Sequence, residues 1–249
     1  MIQARGVTFA FPGHTVLSEL SLDVEDSLAT VVVGRSGIGK SVLLKCITGL
    51  LKPASGTIRI DGDEVVGADR RKLLEIRGRV GMLFQEGALF DSMDVYDNVA
   101  FPLVYHKSCS AAEVERRVTS YLELVGMLDS KRAMPRELSG GMKRKVAVAR
   151  AMILEPRYLL YDEPTAGLDP ASAAIVETLI HQLQVARSIT SLIVTHDIDL
   201  TRFLADRIAL LEDGRIVSCE TREEAFREGS PVYEHFIERR ERIRQGNGL

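Results

Sequence analysis

Residues Gly34, Arg35, Ser36, Gly37, Ile38, Gly39, Lys40 and Ser41 follow the spacing G-x-x-x-x-G-K-S, which has a direct physical use. Glycines let the backbone curl until successive N–H groups point inward at phosphate oxygens. A helix starting at Lys40 adds the positive end of its dipole. On this reading Lys40 reaches the β- and γ-phosphates of a nucleotide and Ser41 ligates Mg²⁺. Val42 stands where a hydroxyl residue commonly helps hold the α-phosphate, and it offers no such contact. A second set lies downstream, where the apolar run Tyr158 to Tyr161 leads into Asp162, Glu163 and Pro164. Adjacent strand residues point to opposite faces, so the two carboxylates can do different work. Asp162 would orient the Mg²⁺ shell, and Glu163 would hold an attacking water and accept its proton. Together the two sets predict hydrolysis of a nucleoside triphosphate with Mg²⁺.

A third set has a less obvious use. Leu138-Ser139-Gly140-Gly141-Met142 precedes a basic helix. Ser139 can cap that helix, either as a plain N-cap or as part of a second anion site. One nucleotide does not need two cradles from one chain, and the residues alone leave this open.

Taken in order, these motifs resemble those of the ABC ATPases. Leu138 to Met142 is similar to the family's signature, Gln85 to its Q-loop glutamine, and Ala166-Gly167-Leu168-Asp169 to its D-loop. His196, after the run Ser191 to Thr195, is similar to the switch histidine that hydrogen-bonds the γ-phosphate. Phe11 occupies the place of the aromatic that stacks on adenine. The resemblance extends from about Ile2 to about Phe226. It implies a P-loop NTPase (RecA-like) α/β core with an antiparallel β subdomain and an inserted α-helical subdomain. It also implies ATP as ligand and a homodimer in which the signature of one subunit covers the γ-phosphate held by the other. Ser139, Gly140, Gly141 and Asp169 then join the nucleotide-binding set, and Gln85 serves both catalysis and the Mg²⁺ shell.

Met142 stands where the signature usually carries Gln, and the stretch from Gly81 to Leu103 is distinctive. Both resemble the ATPases of Mla/MCE-type transporters, which move phospholipids or related lipids between membranes. That likeness implies a permease seated on two ATPase copies, an MCE-domain partner, and a peripheral place on the cytoplasmic face of the inner membrane.

These residues need elements to carry them. Val7 to Phe11 and Ser21 to Val24 read as strands, and the β-branched run Leu28 to Val33 as a buried one. A helix is expected from Lys40 to Leu50, and a hairpin over Thr57 to Val65 turning at Asp61-Gly62. Helices follow at Ala111 to Val125, Gly141 to Leu154 and Ala173 to Val185. Further strands fall at Tyr158 to Tyr161, Ser191 to Thr195, Arg207 to Leu211 and Arg215 to Ser218. The alternation predicts a mostly parallel sheet with helices on both faces. The expected divisions are a core with its β subdomain at 1–85 and 156–226, a helical subdomain at 86–155, and a helical tail at 227–249. Leu89, Phe90, Met93, Val95 and Tyr96 follow Gln85 closely. They line either a groove for a permease helix or the core of the helical segment.

Composition excludes other classes. The 249 residues carry a net charge of −3, without the basic excess of a nucleic-acid binder, so no nucleic-acid partner is expected. Cys46, Cys109 and Cys219 are too far apart in sequence to suggest a zinc site or disulfide framework. No apolar run approaches the roughly 20 residues of a membrane span, so any service to a membrane needs a partner. The charged tail from Pro231 to Leu249 reads as a solvated helix, or else as a contact to the partner ATPase.

Overall fold

The computed structural model describes residues 1–106 and 109–236. In chain order its elements begin with β1 (Ile2–Phe11), β2 (His14–Val24), β3 (Ala29–Val33), α1 (Lys40–Ile47), β4 (Ser55–Ile60), β5 (Asp63–Glu64), α2 (Arg70–Arg77) and β6 (Val80–Leu83). A helical stretch follows, with α3 (Val95–His106), α4 (Ala111–Leu124) and α5 (Gly140–Met152). The chain continues through β7 (Tyr158–Asp162), α6 (Pro170–Arg187), β8 (Thr190–Thr195), α7 (Ile198–Leu204), β9 (Arg207–Glu212), β10 (Arg215–Thr221) and α8 (Arg222–Ala225). The described residues form two compact units: residues 1–73 with the chain from Thr190 onward, and Leu74–Ile189.

The first unit holds an antiparallel sheet in the order β2-β1-β4-β5. Leu20, Leu22 and Val24 are buried while Ser21 and Asp23 between them are less so, the period-2 signature of a half-buried strand. The expected Asp61-Gly62 hairpin is present between β4 and β5, with φ of 53° and 84°. Two successive positive φ values match the right-handed twist of the strands, and Asp-Gly adopts them cheaply. Asp213-Gly214 repeats the device between β9 and β10, with φ of 45° and 76°. The same unit holds β3 between β8 and β9, all three parallel, with β10 antiparallel to β9. Every residue of β3 and β8 is buried, which explains their unbroken apolar and β-branched runs.

In the second unit β6 and β7 pair in parallel. Gly81 in β6 lies so close to the carbonyl of Ala151 that a Cβ there would collide with backbone. The helix α4 buries Val114, Val118, Tyr121 and Leu122 on one stripe, and Ser110 caps it by accepting from the Glu113 amide at 3.3 Å. Helix α6 starts three residues before the apolar pattern suggests, because Asp169 caps it and Pro170 preorganises its first turn. Helix α3 is absent from the sequence expectation. Pro102 lies inside it and its valines favour strands, so propensity argues against a helix that burial of Val95, Val99, Ala100 and Leu103 sustains.

Among the described residues no helix is long and apolar enough to cross a membrane. Among the described residues Cys46, Cys109 and Cys219 form no disulfide, and burial pushes the Cys46 thiol up to about 12. The tail expectation for residues 237–249 lies outside the described residues.

Candidate functional site

In the first unit the glycine-rich loop from Gly34 to Gly39 joins β3 to α1, and its glycines are required for different reasons. A Cβ on Gly34 would sit 2.6 Å from the carbonyl oxygen of Leu211, and one on Gly39 2.8 Å from Cγ1 of Val16. Gly37 and Gly39 also have φ of 80° and 115°, which side chains oppose. No side chain caps the start of α1, and the amides of a helix's first turn are the groups an oxyanion there would meet. Lys40 is buried, and its Nζ donates to the carbonyls of Gly34 (2.9 Å) and Arg35 (3.1 Å). The ammonium therefore lies within the curl of the loop, while Arg35, Ser36 and Gly37 are exposed and Ile38, Ser41 and Val42 half-buried. A cradle that side chains would fill, an uncapped helix start and a buried cation fit a bound polyphosphate.

Phe11 and His196 belong to the same unit. Phe11 ends β1 and is 49 % exposed, touching Phe9 edge-on at 5.0 Å. It is therefore no core residue, and its ring offers a free face. His196 follows β8 at once and is half-buried. Behind it, Asp197 caps α7 by accepting from the amides of Asp199 and Leu200.

The second unit carries the acidic pair, the glutamine loop, the signature and Asp169. Asp162 is the last residue of β7 and is buried. Glu163 has left the strand, with φ of 46°. The pleat argument that separates the two carboxylates thus does not apply: the strand ends at Asp162, and Glu163 takes a left-handed backbone conformation instead of strand alternation. Such a conformation costs a non-glycine residue about 1–3 kcal/mol and persists only where neighbours hold it. Here the Ala166 amide donates to the Glu163 carbonyl at 3.2 Å.

The signature and the turn after Glu163 are packed together. Ser139 caps α5, accepting from the Met142 amide at 3.3 Å. A Cβ on Gly141 would meet Ser172 at 3.0 Å, and one on Gly140 would meet Leu168 at 3.2 Å. Asp169 accepts from the amides of Ala171 (3.1 Å) and Ser172 (3.0 Å), and hydrogen bonds from Ser172 hold its carboxyl below the ordinary range.

Gln85 is exposed at the start of the loop after β6. The structure adds three residues here that the sequence reading overlooked. Arg144 donates to the Phe84 carbonyl at 2.8 Å and to the Ala166 carbonyl at 3.3 Å. Arg150 donates to the carbonyls of Gly87 (2.6 Å) and Ala88 (2.8 Å). Asn98, fully buried, accepts from the Phe90 amide at 2.8 Å and donates to the carbonyls of Phe90, Met93 and Asp94. The sequence signal was only a basic helix and an Asn near apolar residues, which reads as a solvated face.

Of the five candidate groove residues, Val95 is core. Tyr96 is tied down by Arg132 over its ring at 5.2 Å, and its phenol is pushed up to about 12 by burial and by Glu115. Leu89 and Met93 are half-buried. Phe90 remains exposed and meets Phe101 at 4.8 Å, which in turn stacks on Tyr105 at 5.9 Å.

Residues 17–166 match the family model described as ABC transporter. The chain belongs to the ABC transporter family. Within it the chain is an ATPase subunit with the P-loop NTPase fold. It is 38% identical over 224 residues to the "Intermembrane phospholipid transport system ATP-binding protein MlaF" of Haemophilus influenzae, covering 90% of this chain and 85% of that protein. Its identity to the protein of the same name from Escherichia coli strain K12 is 39% over 88% of this chain and 81% of that one. It is also 38% identical to the "Probable ribonucleotide transport ATP-binding protein mkl" of Mycobacterium leprae, covering 95% of this chain and 68% of that protein. Among solved structures, the ATP-binding cassette MJ0796, a dimer in a post-hydrolysis state bound to ADP and Pi, superposes with a TM-score of 0.81 at 30% identity. That match covers 89% of this chain and 99% of the other. The protein cbiO1 of Clostridium perfringens, part of the ABC transporter complex cbiONQ, superposes with a TM-score of 0.82 at 29% identity over 96% and 93% of the two chains.

Proposed function

We propose that this ABC ATPase powers phospholipid movement between membranes, as the nucleotide-driven half of a complex with a membrane-embedded permease. The observation that carries the cargo is its 38% to 39% identity, over most of the chain, to two proteins named for intermembrane phospholipid transport. The variant signature with Met142 and the stretch from Gly81 to Leu103 support the same reading. The exposed Phe90, in the loop that carries Gln85, and the exposed Val104 and Tyr105 of α3 supply an apolar face for a permease helix. An MCE-domain protein completes the complex, and the chain works as a homodimer on the cytoplasmic face of the inner membrane. The printed name of the mycobacterial relative favours a second reading, in which the cargo is a solute such as a ribonucleotide.

The proposed roles follow from the residues. The amides from Gly34 to Val42 and the Lys40 ammonium bind the phosphates, and Phe11 stacks on the base. Ser41, Gln85 and Asp162 offer only oxygen ligands, the donor set Mg²⁺ prefers. When bound, Mg²⁺ neutralises charge on the β- and γ-phosphates. Glu163 holds the attacking water and takes its proton, and His196 donates to the γ-phosphate. Ser139, Gly140, Gly141 and Asp169 serve the nucleotide of the partner subunit. ATP closes the dimer and hydrolysis reopens it. The limits proposed for the subdomains are 1–85 with 156–226, 86–155, and a tail at 227–249.

A pull-down of tagged chain from detergent-solubilised membranes, read by mass spectrometry, tests the cargo. A small multi-spanning permease together with an MCE-domain protein is the expected result. A solute-type permease with a substrate-binding protein would discard phospholipid as cargo and leave the ATPase standing.

A further inference from the structure

Helix α5 carries Arg144, Ala147 and Arg150 at i, i+3 and i+6, one continuous row. The loop after β6 lies along this row. Its glycine, Gly87, packs over Ala147, where an added Cβ would stand 3.4 Å from the alanine's own. The two arginines flank that contact, Arg144 on the Phe84 carbonyl and Arg150 on the carbonyls of Gly87 and Ala88. The Gly87 amide closes the turn onto the Phe84 carbonyl at 2.8 Å, and Ala88 holds a positive φ of 47°. Gln85 is thus displayed on a turn with guanidinium groups bonded at both of its ends.

Arg144 does more than Arg150. Its second nitrogen reaches the Ala166 carbonyl at 3.3 Å, on the turn that begins at Glu163. The amide of the same Ala166 donates to the Glu163 carbonyl, which sits in its left-handed conformation. One buried side chain therefore touches the peptide before Gln85 and the turn that holds Glu163. Burial pushes the Arg144 guanidinium below its ordinary value, while the carboxylates of Asp162 and Glu86 pull it partly back. Among the described residues Arg144 makes no salt bridge and bonds the two carbonyls instead, and a buried cation held this way is a poor stabiliser, so stability alone does not account for an arginine here.

We infer that Arg144 is a positioning residue that sets Gln85 and Glu163 together by bonding Phe84 and Ala166 at once. Only a planar guanidinium spans both carbonyls, since a lysine ammonium is a single point donor. This inference rests on the proposed catalytic roles of Gln85 and Glu163.

The test is Arg144→Lys in the full chain, with Arg150→Lys beside it. Lysine keeps the charge and the apolar stem, so the fold survives. The first readout is amide hydrogen exchange by mass spectrometry, which needs no assumption about catalysis. Arg144→Lys should speed exchange in both 84–88 and 166–169 by about tenfold, and Arg150→Lys in 84–88 alone. The second readout is steady-state ATP hydrolysis. Arg144→Lys should lower kcat by about 10–100-fold, the scale of a small misplacement, with KM for ATP within about threefold. Full kcat in Arg144→Lys, a response in only one of the two segments, or a change confined to KM would overturn the inference. If exchange responds as expected and Glu163→Gln nonetheless hydrolyses ATP normally, the catalytic reading fails while the linkage stands.

Discussion

The loop from Gly34 to Lys40 and the loop from Phe84 to Phe90 each leave a strand end and carry a residue proposed to serve the nucleotide. They are held by opposite means. The first depends on missing side chains: Gly34 lets the Leu211 carbonyl, and Gly39 the Val16 side chain, come within 3 Å of where a Cβ would be, and the Lys40 side chain reaches back to the carbonyls of Gly34 and Arg35. The second depends on added side chains, with Arg144, Arg150 and Asn98 bonding to the carbonyls of Phe84, Gly87, Ala88 and Phe90. The difference follows from what each loop must leave free. A phosphate cradle must turn its amides toward the ligand, so side chains cannot crowd it. A loop that only has to present one amide side chain can have its backbone fully satisfied.

Substitutions on the two sides should separate accordingly. Lys40→Ala strikes the ligand and gives the largest effect: ATP turnover falls at least about a hundredfold, as when a preorganised charge donor is removed. Tight ATP binding with full turnover in that variant would break the cradle reading. Asn98→Ala strikes the scaffold. Four hydrogen bonds go, the backbone groups of Phe90, Met93 and Asp94 each lose a partner, and unfolding in urea should show a loss of about 3 kcal/mol. A loss below about 0.5 kcal/mol would mean the second loop is held without it. Phe11→Ala is the mildest for the fold, since the ring is half exposed. Base stacking is worth about 1–3 kcal/mol, so ATP affinity should weaken about tenfold at unchanged kcat. An unchanged affinity would remove Phe11 from the site.

The same contrast explains what could be read in advance. The requirement for glycine at a positive φ or a close approach is written into consecutive residues, so the cradle at Gly34 to Lys40 was legible with its strand and helix. The Asp-Gly turns were legible for the same reason. The clamp on the second loop joins residues 60 to 63 positions apart. Nothing local distinguishes Arg144 or Arg150 from a solvated basic face, and Asn98 has no spacing rule to announce it. Helix α3 was hidden by Pro102 and its valines, because tertiary burial overrode propensity. Glu163 was identified as a residue but misplaced in geometry, since a strand period says nothing about where the strand stops.

Turnover of Glu163→Gln in the full chain tests the account most directly. The glutamine keeps size and shape but cannot accept the proton of an attacking water. The variant should still bind ATP, accumulate as an ATP-bound dimer in light scattering, and hydrolyse at least about a hundredfold more slowly than the unaltered chain. Hydrolysis at the unaltered rate would contradict Glu163 as the base, and with it the reading of this strand end as the catalytic one.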